Sequence, residues 1–353
     1  MQFEPFLFLY ITEKCQLRCK HCYMGDRLER ESYMSLEMIS DILRTLKSLY
    51  GQYKVYLLGG EPTLHPKFNE VIDVCRSHDY KVVVTSNGMV PERTWATLRS
   101  NLVDSLSFSL DGATAETHDF MRGRNSFGNL TKSITKAVQL GIQTRVIYTV
   151  SRRNVDEALQ AVTMAESHGI SMISFHYFTP TGLGRDKPEL QLSPEEWRSF
   201  TQQLRDTAGK TQIQIYYPPA FVDATEVSAI RELGYRGCTA RNLERLAIFP
   251  DGRVYICSMF FDTDLHYGTF ERGRIVPVQR QSSAGELDLV SHVPDNCFSC
   301  SNVSTCQAGC AAYDYFEGAR PTSLCDQQLM PVCPLWSMPA TPDRTRQSLT
   351  DLR

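Results

Sequence analysis

Residues 6–23 read FLFLYITEKCQLRCKHCY. An apolar run of strand formers, Phe6–Ile11, leads within four residues to Cys15, Cys19 and Cys22, spaced x3 and x2. That places a thiol cluster in the loop at the C-terminal end of a first strand. Thiols this close serve one metal centre. A structural zinc takes four protein ligands, so three cysteines with no fourth nearby point to an iron–sulfur cluster with one iron left open. Zinc with His21 as fourth ligand is the rival, weakened because His21 adjoins Cys22 and is poorly placed to share its metal.

Outward from this loop, strand and helix patterns alternate. Strands are expected at Lys54–Leu58, Lys81–Thr85, Ser105–Leu110, Thr144–Val150 and Met172–Phe178, short runs bounded by Gly, Asn, Asp or Ser. Ser35 caps a helix with Leu36, Ile39, Leu43 and Leu46 on one face, and Asn154 caps another with Val155, Ala158, Leu159 and Val162 inward. Pro66 and Pro91 stand at first-turn positions. Such alternation implies a parallel sheet with right-handed crossovers, and six repeats suit an α/β barrel with its chemistry at the strand C-terminal ends.

Composition narrows the function. The chain has 353 residues, 42% hydrophobic and 22% charged, with net charge -3. This is globular, and it speaks against a nucleic-acid binder with a broad basic surface. No apolar run is long enough for a membrane span, and Met1–Thr12 lacks a signal peptide's basic start and cleavage site. Twelve cysteines without an export signal suggest metal or catalytic thiolates in a reducing, cytoplasmic setting rather than disulfides. Cys75, on a helix face with Val71 and Ile72, reads as a core thiol. The other eight lie between Cys238 and Cys333.

Three further motifs end successive strands: Gly59-Gly60-Glu61-Pro62, Thr85-Ser86-Asn87-Gly88 and Ser109-Leu110-Asp111-Gly112. Asn-Gly and Asp-Gly alone are turn signals; four motifs in order at four strand ends say more. With C-x3-C-x2-C they resemble the radical S-adenosylmethionine enzymes. The resemblance implies a partial (β/α)6 TIM-type barrel and a [4Fe-4S] cluster on Cys15, Cys19 and Cys22. The open iron binds the amino and carboxylate groups of S-adenosylmethionine, which is cleaved to a 5′-deoxyadenosyl radical. Contacts to that cofactor are implied for Gly59, Gly60, Glu61 and Pro62 at its amino group, for Ser86 and Asn87, and for Ser109 and Asp111 at its ribose and carboxylate. His21 takes a position usually aromatic or His. Arg122 either pairs with a carboxylate or is a solvated surface arginine. Tyr148 and Asn154 are weaker candidates.

The C-terminal pattern, Cys238-x13-Gly252-x4-Cys257, then Cys297-x2-Cys300-x5-Cys306-x3-Cys310, then Cys325, is very close to the SPASM extension of that family. Two zinc ribbons are the alternative on spacing alone. Ile248–Tyr255 resembles the usual hairpin of that extension, turning at Asp251-Gly252. The resemblance implies two auxiliary [4Fe-4S] clusters, one on Cys238, Cys257 and Cys310, the other on Cys297, Cys300, Cys306 and Cys325. Members with eight ligands have another cysteine soon after the first, and none lies between Cys238 and Cys257. The missing ligand is Cys333, a non-cysteine group, or an open site, and Cys333 reads equally as a spare core thiol.

The expected organisation is a barrel core at 1–192, a bridging helical region at 193–237 whose first helix is capped by Ser193 with Glu196, a SPASM domain at 238–335 and a flexible tail at 336–353. Thr179–Leu192, with Pro180, Gly182, Gly184 and Pro188, and Arg272–Leu287 read as boundaries, the second as a loop. The implied activity is hydrogen abstraction from a C–H bond, with a ribosomally made peptide as the foremost substrate. A small-molecule dehydrogenase, a sulfatase-type maturase and a non-enzymatic iron–sulfur carrier are the alternatives. Ser258 follows Cys257 where sulfatase-type members commonly carry Asp, leaving Asp262 or Asp264 as substitutes. Expected partners are the peptide, an electron donor such as flavodoxin or ferredoxin, and a separate leader-binding protein, since fourteen residues before Cys15 leave no room for such a domain; no nucleic acid or membrane is expected. Gln214–Phe221 either lines a peptide groove or forms an edge strand packed on the core.

Overall fold

The computed structural model describes residues 6–51, 54–99, 102–223, 225–278, 286–293, 295–317 and 329–341. Six parallel strands follow the chain in order: β1 (Phe6–Thr12), β2 (Lys54–Gly59), β3 (Lys81–Ser86), β4 (Ser105–Ser109), β5 (Thr144–Val150) and β6 (Met172–Tyr177). Helices α1 (Leu36–Tyr50), α2 (Phe68–Ser77), α3 (Ala115–Arg122), α4 (Ser126–Gln139), α5 (Ala158–Ser167) and α6 (Pro194–Ala208) lie among and after these strands. Alternate strand residues explain the layering: Leu7, Leu9 and Ile11 are buried beneath the helices, while Phe8 and Tyr56 stack on the opposite, concave face with centroids 5.0 Å apart. Ser35 caps α1 by accepting the Met38 N–H, and Ser193 and Glu196 form a reciprocal capping box on α6.

The sheet does not stop at six strands. β7 (Gln214–Tyr217) continues it parallel to β6, and β9 (Arg245–Ile248) pairs parallel with β1. The expected hairpin is present as β9 and β10 (Arg253–Tyr255), and it is built into the barrel's own sheet rather than into a detached domain. β11 (Gly268–Glu271) and β12 (Arg274–Pro277) add a second hairpin. Part of the expected Arg272–Leu287 loop is therefore strand, because Arg272 and Gly273 both adopt positive φ and reverse the chain. β8 (Phe221–Val222) and β13 (Met330–Pro331) form a separate pair, and β14 (Met338–Pro339) pairs with β7. The expected tail thus begins as an ordered edge strand; residues 342–353 lie outside the described residues.

Other expectations shift. Between β3 and β4 the Pro91 segment makes only a 3-10 turn, Glu92–Thr94. Asn154 stands at the N-cap position of the 3-10 turn Val155–Glu157 that leads into α5, but its side chain makes no capping bond: its amide donates to the Asp111 and Thr149 carbonyls and its Oδ1 accepts from Ser151 N, stitching the ends of β4 and β5 together. Tyr216, Tyr217 and Phe221 are buried, so Gln214–Phe221 packs on the core instead of lining a groove. Cys75 is buried on α2 as expected. Among the described residues no helix is long and apolar enough to cross a membrane.

Candidate active site

The loop after β1 carries the three cysteines, and the end of β2 is laid against it. Gly60 N donates to Thr12 O and Glu61 N to Lys14 O, at 2.9 and 2.8 Å. A Cβ on Gly59 would lie 2.4 Å from Thr12 O; one on Gly60 would lie 2.4 Å from Lys14 O and 2.7 Å from Cys15 Cβ. Both glycines are therefore required where β2 meets the cysteine loop.

Glu61 joins β2 to β3. Its buried carboxylate accepts from Thr63 N and Oγ1 (3.2 and 2.6 Å), Ser86 Oγ (3.0 Å) and Asn87 N (2.8 Å). Burial pushes the Glu61 carboxyl up despite these donors. Pro62 opens a single 3-10 turn capped by Glu61. Asn87 Nδ2 lies 3.6 Å from Cys15 Sγ, and Leu17 N lies 3.4 Å from the same sulfur.

The end of β4 supplies a charge cluster. Asp111 is completely buried. Its Oδ1 accepts from Thr149 N at 2.7 Å, and its Oδ2 faces Arg122 Nε and, at 3.2 Å, His21 Nε2. Burial works to raise the Asp111 carboxyl, but Arg122 and His21 beside it overcome this and hold it well below the carboxylate range. Arg122 is no surface arginine: its Nη1 reaches Cys19 Sγ at 3.8 Å. Ser109 is half-buried at the end of β4. Tyr148 is buried, its hydroxyl donating to Asn154 O at 2.8 Å.

The arrangement fits a thiolate-bound group. Backbone and side-chain N–H donors point at Cys15 and Cys19 sulfurs, and His21 Nδ1 is buried without a partner. Burial pushes the Cys15 and Cys22 thiols up to about 12, so a cation held there would be what makes them thiolates. Among the described residues no three His, Cys, Asp or Glu converge as a single-ion site.

Several participants had no clear sequence signal. Arg27, inside the charged run Asp26–Glu31, is only 2% exposed. It donates to Glu13 Oε1 and Tyr255 OH at 2.6 Å and to Phe261 O at 2.5 Å, with its guanidinium 4.2 Å from the Phe249 ring centroid. It thereby ties the cysteine loop's neighbour to the β9–β10 hairpin. His176 on β6 faces the concave side, accessible to solvent while Phe175 and Tyr177 pack on α6. Enclosure by the barrel, with the Arg245 charge nearby, lowers its pKa to about 4. Glu286 is buried and accepts from Ile256 N and Cys257 N at 3.0 and 2.6 Å. Asp262, named in the sequence, meets the cysteine loop at Gly25; its Oδ2 pairs with Arg185 at 2.5 Å and its Oδ1 is buried without a partner.

In the C-terminal half Cys238, Cys257, Cys297, Cys306 and Cys310 are buried, and Cys300 is half-buried. Cys325 lies outside the described residues. Cys333 is buried beside Cys238, not with the Cys297–Cys306 run.

Residues 9–165 match the family model described as the Radical SAM superfamily. Over 313 residues the chain is 28% identical to mycofactocin maturase MftC of Mycobacterium tuberculosis, covering 87% of this chain and 78% of that one. It is 27% identical to the antilisterial bacteriocin subtilosin biosynthesis protein AlbA of Bacillus subtilis, covering 71% of this chain and 54% of that one. The solved structure of Streptococcus suis SuiB bound to its precursor peptide SuiA superposes with TM-score 0.73 at 16% identity, covering 93% of this chain and 77% of that one, a likeness of fold.

Proposed function

We propose that this chain, a radical SAM protein whose cysteine-rich C-terminal region fits a SPASM domain, oxidatively modifies a ribosomally made peptide. The observation that carries the reading is the convergence of four strand ends on one cysteine loop. The barrel core, residues 1–192, is the catalytic unit. Cys15, Cys19 and Cys22 hold a [4Fe-4S] cluster. Gly59–Pro62, Ser86, Asn87, Ser109 and the Asp111–Arg122–His21 group surround S-adenosylmethionine. Bound there, cluster and cofactor supply a 5′-deoxyadenosyl radical that abstracts hydrogen from a substrate C–H.

The chain's own residues position that chemistry. Glu61 and Asp111 spend their oxygens on neighbouring strand ends, so each acts by fixing Asn87, Arg122 and His21. The cysteines of residues 238–335 hold two auxiliary [4Fe-4S] clusters, linked to the barrel through the bridging region 193–237. A peptide substrate is supported by relatives named for peptide products, MftC and AlbA, and by SuiB, solved with its precursor peptide. A flavodoxin or ferredoxin serves as electron donor, and a separate protein binds the leader.

The test is anaerobic turnover with reductant, S-adenosylmethionine and short peptides encoded beside the gene. Deuterium passing from a labelled peptide residue into 5′-deoxyadenosine is the expected result. Turnover of a free sugar or amino acid, with no such peptide modified, would move the assignment to a small-molecule dehydrogenase. Iron without any 5′-deoxyadenosine would leave an electron carrier.

A further inference from the structure

We infer that Cys333 is the fourth ligand of the first auxiliary cluster, completing a set with Cys238, Cys257 and Cys310 and leaving that cluster no open iron. The inference rests on the reading that this region binds iron–sulfur clusters.

Four separate segments bring these thiols together. Cys238 follows a turn at Gly237, and its N–H donates to Gln307 Oε1 at 2.9 Å, which ties it to the turn leading into Cys310. Gly237 has φ +94°, and a Cβ there would lie 2.3 Å from Gln307 Cδ. Cys257 ends the β9–β10 hairpin, its N–H held by Glu286. Cys333 arrives because β13 pairs antiparallel with β8 and Val332 N then donates to Ala220 O at 2.7 Å.

The surroundings of Cys333 are those of a site, not of a core thiol. Its N–H donates to Tyr235 OH at 3.1 Å, Thr239 Oγ1 lies 3.5 Å from its sulfur, and its thiol is hydrogen-bonded with that of Cys238. Cys310 is within electrostatic reach of Cys238, and both Cys310 and Cys333 are within reach of Cys257. All four are buried, at 4–7% exposure. Cys75 is the contrast: it is equally buried, and among the described residues no other thiol acts on it. Cys306 has Cys297 and Cys300 as its charged neighbours, so Cys333 falls to the other set. Four thiolates satisfy a cubane. A substrate then cannot ligate this cluster, whose role is confined to accepting electrons and holding the fold.

The experiment uses the full chain with Cys15, Cys19 and Cys22 changed to Ala, so that only auxiliary clusters report. This parent should retain about 8 irons by cubane stoichiometry. Its reduced paramagnetic resonance spectrum should not change with labelled cyanide. Cys333→Ala should expose one iron: cyanide coupling appears, or mild oxidation strips that iron to a three-iron signal. Cys333→Ser, which keeps an oxygen ligand, should hold full iron with one of the two signals altered; Cys75→Ala should change nothing. A Cys333→Ala spectrum identical to the parent's, or cyanide binding to the parent itself, overturns the ligand assignment. Cys333→Ser keeps a ligand and the local packing, so it reads the assignment even where Cys333→Ala fails to fold: one auxiliary signal should change in it, and an unchanged spectrum overturns the assignment. A parent without iron would instead bring down the auxiliary-cluster reading as a whole.

Discussion

The two cysteine-bearing regions are built on opposite plans. In the barrel, Cys15, Cys19 and Cys22 share one loop, and the ends of strands that follow the chain in order are laid against it, with Arg122 of α3 reaching the Cys19 thiol. In the C-terminal region the thiols come from segments scattered between Cys238 and Cys333. These are joined by helices such as Val303–Cys306 and Ala311–Glu317 and by two-residue strands. Such helices are far too short to stand alone. On the proposed reading the two plans should behave differently: a local metal loop can be lost from a fold built by strands and helices of its own, whereas a dispersed ligand set would itself be part of what folds its region.

The largest effect should come from testing that contrast directly. Changing Cys15, Cys19 and Cys22 together to Ala should abolish 5′-deoxyadenosine formation completely while β1 to β6 keep their protection from amide exchange. Stripping iron with a chelator should do the reverse in the other region, raising exchange between Cys297 and Cys310 toward that of unfolded chain. Equal loss of protection in both regions on chelation would break the comparison.

Arg27 sharpens it, because this one side chain spans the two regions. Changing Arg27 to Met takes away the close cation of Glu13, 1% exposed, and leaves its carboxylate with Ser32 Oγ and the more distant Arg30 at 3.9 Å. Breaking such a pair costs about 3–5 kcal/mol, readable as a lower denaturant midpoint of the reconstituted protein. Adding Glu13→Gln should recover much of the loss, since the uncompensated charge is then gone. A single variant as stable as the parent would mean that the hairpin holds to the barrel without this contact.

Legibility divided along the same line. The barrel could be read because its signals are local: Ser35 and Ser193 cap the helices expected of them, and each motif ends a strand, where parallel topology puts chemistry. Glu13, Arg27, Asp251 and Tyr255 could not be found this way. They span 242 positions from Glu13 to Tyr255 and meet only once β9 pairs with β1. β12 and β14 were missed for a related reason: their partners, not their own short patterns, make them strands. Asn154 looked like a cap because Asn commonly is one, yet its amide was taken by the carbonyls of Asp111 and Thr149.

The smallest expected effect lies in the barrel alone. His65 is buried just after the Gly59–Pro62 motif; its Nε2 lies 3.0 Å from Met34 O, and its Nδ1 accepts from Lys67 N at 3.1 Å. An accepting Nδ1 fixes the neutral tautomer with the proton on Nε2, which donates to the carbonyl. Burial, with Lys67 as a lesser cation nearby, lowers the pKa of His65 below its ordinary value. The unfolded chain therefore takes up the proton first as pH falls. The contribution of His65 is fully present above about 6.5, its ordinary pKa, and is lost as pH drops through that value toward the lower folded one. Thermal midpoints of the parent and of His65→Gln, taken from pH 8 to pH 5, isolate this term. The parent should lose its advantage over the variant on the acidic side only. A difference that is flat across the range would assign His65 a packing role without a titrating one.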